Sequence, residues 1–126
     1  MPEIDRARLV PGADLSGEDC FGANLRTASL IGGFFLRANL SLVDLTDADL
    51  RDADLSHATL TNADLTGANC ANAKLRGAVL RDACLRRTNF RYADLTGADL
   101  TNAYLDGADF TGALLEGTIL SDAFPR

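Results

Sequence analysis

Leucine or phenylalanine stands at nearly every fifth position from Leu15 to Leu120, and that spacing excludes both ordinary secondary structures. These residues fill 20 of the 22 positions, and Cys20 and Cys70 fill the other two. On a helix at about 100° per residue, successive leucines would spread around every side. On a straight strand, an odd repeat would send them to alternate faces. A backbone that turns by the same amount in each pentad keeps them all on one side, so the chain must coil. Two residues before each Leu stands Ala in 17 of 22 cases, the exceptions being Glu18, Gly33, Val43, Thr88 and Thr118. Ala and Leu then point inward from one short extended piece. The residue between them is most often Asp or Asn. After the Leu come Ser, Thr or Arg, then Gly, Asn or Asp, which supply the turn.

Composition narrows the function. The net charge of -6 over 126 residues argues against a generic nucleic-acid binder, because phosphate contacts need a basic surface. No stretch approaches the roughly 20 apolar residues of a membrane helix. The start, Met1 to Arg6, does not read as a secretory leader. Three widely spaced cysteines, Cys20, Cys70 and Cys84, read as free thiols of a cytoplasmic protein.

The pattern Ala-(Asp/Asn)-Leu-X-X, as in Ala48-Asp49-Leu50-Arg51-Asp52 and Ala63-Asp64-Leu65-Thr66-Gly67, resembles that of the pentapeptide-repeat proteins. The resemblance covers residues 11–120. It implies an all-β solenoid, a right-handed quadrilateral β-helix with four pentads per coil. The 22 pentads then make about 5.5 coils, a rod roughly 26 Å long at about 4.8 Å per coil. Contacts reach only adjacent coils, so stability is close to a sum of coil and interface terms.

The ends fall out of the pattern. Residues 1–10 are expected to form an N-terminal cap, with Ile4, Leu9 and Val10 folded over the first coil. Glu18 in an inward column suggests an irregular first coil. Residues 121–126 form the C-terminal end, where Pro125 takes the Leu position and cannot donate to a ladder. The sequence offers no helix to cover the last coil, and some relatives dimerise through this end. With outward Leu114, Ile119 and Phe124 nearby, an end-to-end homodimer is expected.

The search for chemistry finds no convergent titratable set and no metal spacing, so no catalytic residue, metal ligand or cofactor is assigned. His57, the one histidine, falls in a turn column and reads as a solvated turn residue. Cys20 and Cys70 replace core leucines on opposite walls. Cys84 replaces Asp/Asn and is expected to point outward as an accessible thiol. The carboxylates of that column, Asp44, Asp64, Asp94 and Asp99 among them, read as local backbone acceptors.

Two surface features remain. Arg76, Arg81, Arg86 and Arg91 occupy the same outward column on four successive walls of the coil 72–91, with Arg87 and Tyr92 beside them. They are either common fillers of that column or a binding belt. Ile31-Gly32-Gly33-Phe34-Phe35-Leu36 breaks the repeat. Phe34, Leu36 and Leu42 are either an exposed partner site, with Phe21 one coil below, or a local bulge folded on itself. Val43, Thr88, Glu18 and the Phe34 region are irregularities that an idealised design would usually lack.

The expected function is therefore a non-enzymatic protein-interaction scaffold whose protein partner the sequence does not identify. The alternative is a DNA mimic. Some members of the family imitate a DNA duplex in shape and charge, bind DNA gyrase and protect it from quinolones. The arginine belt and the short rod count against it, and no loop insertion of the kind those members carry is evident.

Overall fold

A computed structural model describes residues 4–125 of the chain. The fold is a right-handed quadrilateral β-helix. Each wall is joined to the one 20 residues on by parallel single-residue bridges, from Asp14 with Phe34 to Tyr104 with Phe124. The residue between Ala and Leu makes the bridge, so no wall holds a longer strand. At Asp49 the N–H donates to the Ala28 carbonyl below at 2.9 Å, and the Leu50 N–H donates to Asn69 above at 2.7 Å. The turn closes where Ala53 N–H meets the Leu50 carbonyl at 3.1 Å.

Every pentad from Gly12 to Asp122 puts its second turn residue at positive φ, the pattern of a type II turn. Gly, Asn and Asp hold most of these positions. Leu42 (φ 58°), Thr27 (φ 59°) and Tyr92 (φ 60°) hold three others, although bulky or branched side chains are disfavoured there.

The core is a stack of leucines, buried from Leu15 to Leu100, with an alanine column between them that is buried from Ala38 to Ala103. The five exceptions to the alanine column each fit this frame. Gly33 leaves room for the Phe35 ring: a Cβ on Gly33 would lie 2.8 Å from that ring. Val43 is buried in the core. Thr88 and Thr118 turn their hydroxyls to the Leu65 and Leu95 carbonyls below, each at 2.8 Å. Glu18 reaches Arg8 at 2.6 Å. Its carbonyl still accepts the Asn39 N–H, so the irregularity expected of the first coil is confined to one side chain. The expected alternative of a bulge at Phe34 is also corrected. Phe34 N–H meets Ala13 below and Phe35 N–H meets Asp54 above, so the 20-residue register runs through unbroken.

The two ends differ. A short 3-10 turn, Arg6–Arg8, is capped by Asp5, whose side chain accepts from the Ala7 N–H. Ile4 and Leu9 pack against the core, whereas Val10 points to solvent. At the other end Leu115 and Leu120 stand in the core column yet are 40% and 48% exposed. With Leu105, Ala123 and Pro125, Leu120 helps line an open depression of about 410 Å³.

Candidate interaction surfaces

The carboxylates between Ala and Leu serve the turn first. Asp54 Oδ1 accepts from Ser56 N–H and Asp64 Oδ1 from Thr66 N–H, each at 3.0 Å. Asp94 repeats this with Thr96 and Asp109 with Thr111. Bonds from Thr96 hold the Asp94 carboxyl below its ordinary range, and those from Thr111 do the same at Asp109. At Asp99 burial pulls upward, but Thr101 and Arg81 outweigh it and the net direction is down.

The arginine belt is occupied from above. Arg76 reaches Asp94 and Arg81 reaches Asp99, each at 3.1 Å, and Arg91 reaches Asp109 at 3.2 Å. Arg26 makes the same contact with Asp44. The rule is geometric: the residue after a Leu touches the residue before the Leu 18 positions on. Two exceptions support it. Position 104 is Tyr, so Arg86 lies 4.9 Å over that ring and turns to Asp106. Position 69 is Asn, so Arg51 turns back to Asp49 in its own coil at 2.7 Å. The surface is banded as a result. The coil 72–91 holds Lys74, five arginines and only Asp82. The coil 52–71 below and the coil 92–111 above carry carboxylates and no Lys or Arg.

A second spacing governs the corners. His57, Arg87 and Tyr92 lean over the residue 20 positions on, and glycine stands there. His57 lies over Gly77, where a Cβ would come within 2.6 Å of the ring, and Tyr92 lies over Gly112. His57 is thus packed as well as exposed.

Phe34, Leu36 and Leu42 all reach solvent, at 50%, 41% and 52% exposure. They do not form one patch. Phe34 and Leu36 share a wall with half-buried Ile31 at its near corner. Leu42 lies two corners on from Ile31, next to Ser41, which stands one coil above Phe21. Between the two clusters Asn39 donates to Asp19 at 3.2 Å.

The cysteines separate by environment. Burial pushes the Cys20 thiol up to about 11 and the Cys70 thiol up to about 12. Cys84 is half-buried between Asp64 and Tyr104 in its column, and its sulfur lies 3.1 Å from the Thr66 hydroxyl. Among the described residues no cluster of His, Cys, Asp or Glu is arranged to hold a metal ion. Among the same residues no helix is long and apolar enough to cross a membrane.

At the C-terminal end the bridging column changes character. Leu114, Ile119 and Phe124 replace the Asp94, Asp99 and Tyr104 of the coil below, and all three are exposed. Phe124 stacks on Tyr104 at 5.8 Å between centroids. Sequence reasoning missed this ring contact and the exposed Leu115 and Leu120. The 20-residue spacing from Tyr104 to Phe124 was the signal available.

Comparison with known proteins agrees with this geometry. The sequence model of the family Pentapeptide repeats matches residues 19–56, 44–82 and 83–122, as 8 copies. The chain belongs to the pentapeptide-repeat family. A pentapeptide repeat protein from Nostoc PCC 7120 is 30% identical, with 86% of each chain covered and a TM-score of 0.60. Rfr23, a pentapeptide repeat protein from the cyanobacterium Cyanothece 51142, is 24% identical at a TM-score of 0.59, covering 91% of this chain and 85% of its own. QnrB1, a plasmid-mediated fluoroquinolone resistance protein, is 20% identical at a TM-score of 0.58, covering 96% of this chain and 68% of its own. The last two likenesses concern the fold alone. No curated protein matches the sequence.

Proposed function

We propose that this chain is a non-catalytic cytoplasmic scaffold that displays a few partner-binding residues on a rigid rod. One observation carries the reading. The side chains that break the repeat at Phe34, Leu36 and Leu42 are apolar and exposed, although the fold gains little packing from them. Pulldown with the wild type and with Phe34→Ser tests it. Equal recovery of every partner by both proteins overturns the role of Phe34.

The last coil supports a second element, an end-to-end homodimer. The N–H groups of Leu115 and Leu120 and the carbonyls of Ala113 and Thr118 point away from the coil below. They meet no backbone partner among the described residues. On each wall a carbonyl and an N–H flank Leu114 or Ile119. That is the arrangement an antiparallel edge offers to a copy of itself. A two-fold axis through one wall would also cover Leu115 and Leu120. Light scattering at high concentration tests this, and a monomeric mass removes it.

A gyrase-binding DNA mimic has a likeness of fold to QnrB1 and the net charge of -6 in its favour. Against it stands the basic coil 72–91, which interrupts the acidic surface across the whole rod. Supercoiling by DNA gyrase unchanged at micromolar protein, with and without quinolone, ends that reading.

A further inference from the structure

The wall of residues 33–37 is apolar where the same wall one coil below and above is polar. Phe34 stands between Asp14 and Asp54, and Leu36 between Ser16 and Ser56. The exchange forfeits a bond. Asp14 and Asp54 each accept the N–H two residues on. The Phe34 side chain has no acceptor, and the Leu36 N–H is met instead by the Ser16 hydroxyl at 3.2 Å. Phe34 and Leu36 remain about half exposed, so folding recovers little of that loss.

We infer that Ile31, Phe34 and Leu36 dock the apolar face of an amphipathic helix flanked by lysine or arginine, an inference that rests on the scaffold reading above. The rim sets the charge. Asp14 and Asp54 bracket Phe34, and Asp19 lies on the next wall beyond Leu36. None of the three makes an ion pair among the described residues. Of the cations nearby, Arg8 is paired with Glu18 and Arg51 with Asp49, which leaves Arg37 as the one without an ion pair among the described residues. The backbone sets the conformation of the partner. Every N–H from Gly33 to Arg37 is already bonded, so this wall has no donor left for an added strand. A partner here must satisfy its own backbone, as a helix does.

The test uses two synthetic helical peptides with the same leucine face, one with lysine flanks and one with glutamate flanks. Binding is read by fluorescence anisotropy. The wild type is expected to bind the lysine peptide and not the glutamate peptide. Phe34→Asp is expected to weaken binding by about tenfold or more, and Leu36→Ser by a similar factor. Leu42→Asn, on the separate cluster, should leave binding unchanged. Phe34→Asp adds a negative charge to a protein already at -6. Simple attraction between opposite charges therefore predicts equal or tighter binding. Equal or tighter binding by Phe34→Asp overturns the proposal, as do equal binding of the two peptides and binding of neither. Each new residue already occupies its column in a neighbouring coil, so circular dichroism should report folded variants. A natural partner lost in the Phe34→Ser pulldown would keep the scaffold reading even where the peptides fail.

Discussion

The two ends of the rod carry the same core column and treat it differently. Leu15, in the first coil, is fully buried beneath a segment in which Ile4 and Leu9 pack on the core. Leu115 and Leu120, in the last, are nearly half exposed. Nothing local distinguishes Ala13-Asp14-Leu15 from Ala113-Leu114-Leu115 as core-forming triplets. The difference is whether another layer lies on top. Burial in a solenoid is conferred by the neighbouring coil, and each end has to find its own cover.

The largest effect that tests this contrast sets the middle of the rod against its C-terminal end. Leu50 is fully buried between two coils. Leu50→Ala should lose about 2–5 kcal/mol, and Leu50→Asp, which buries an unpaired charge, should not fold. Leu120→Ala should lose less than about 1 kcal/mol in dilute protein. Thermal melts followed by circular dichroism check both. A Leu120→Ala loss that grows with protein concentration would show that a second copy covers the end. A large loss at every concentration would break the contrast.

Glycines at equivalent corners give the next effect. Gly77 and Gly117 both hold positive φ, so either Ala substitution carries strain of about 1 kcal/mol. Only at Gly77 would the new methyl meet the His57 ring, whereas at Gly117 the nearest atoms lie at an ordinary 3.8 Å. Gly77→Ala should therefore cost about 2 kcal/mol in chemical denaturation and Gly117→Ala about half that. Equal costs would show that the His57 ring swings aside freely.

Much of this structure was legible and some was not. The period of five demanded a coil because neither helix nor strand keeps Leu15, Cys20 and Leu25 on one side. The residues that broke the repeat could be named, and the structure exposes Phe34, Leu36 and Leu42. What stayed hidden depended on distances of 18 and 20 along the chain. Arg76 read either as a filler of its column or as part of a binding belt, and the Asp94 above it could not be seen. Gly112 looked like a simple turn residue until Tyr92 was found across it. The supposed single apolar patch divided at Asp19 and Asn39 for the same reason. Spacing along the chain does not say which corner a residue occupies unless the coil length is known.

Acid should act more gently and unevenly. The folded carboxyls of Asp14, Asp44, Asp49, Asp94, Asp99 and Asp109 lie below their ordinary value, which is about 3.9 in an unfolded chain. The folded state therefore binds protons less readily. Its advantage is complete above about pH 5 and is lost as pH falls through about 4 and below. Asp44 and Asp49 lie between covered coils, whereas Asp94, Asp99 and Asp109 all belong to the coil 92–111, beside the uncovered end. Hydrogen exchange at about pH 3, corrected for intrinsic rates and compared with about pH 6, should show residues 92–120 losing protection before residues 32–70. Uniform loss would mean that acid does not distinguish the end from the middle.

The smallest effect separates two ways of covering the N-terminal end. Glu18 occupies the alanine column and reaches Arg8, but both side chains are more than a third exposed. Such pairs contribute about 0–1 kcal/mol. Glu18→Ala supplies the residue that the column prefers and removes a carboxylate from the core's edge. Its stability should stay within about 0.5 kcal/mol of the wild type. That result assigns the cover to apolar packing by Ile4 and Leu9, with the ion pair as an accessory. A loss well above about 1 kcal/mol would instead make Arg8 and Glu18 the clasp. The N-terminal end would then be closed by charge, and raising the salt concentration should loosen it.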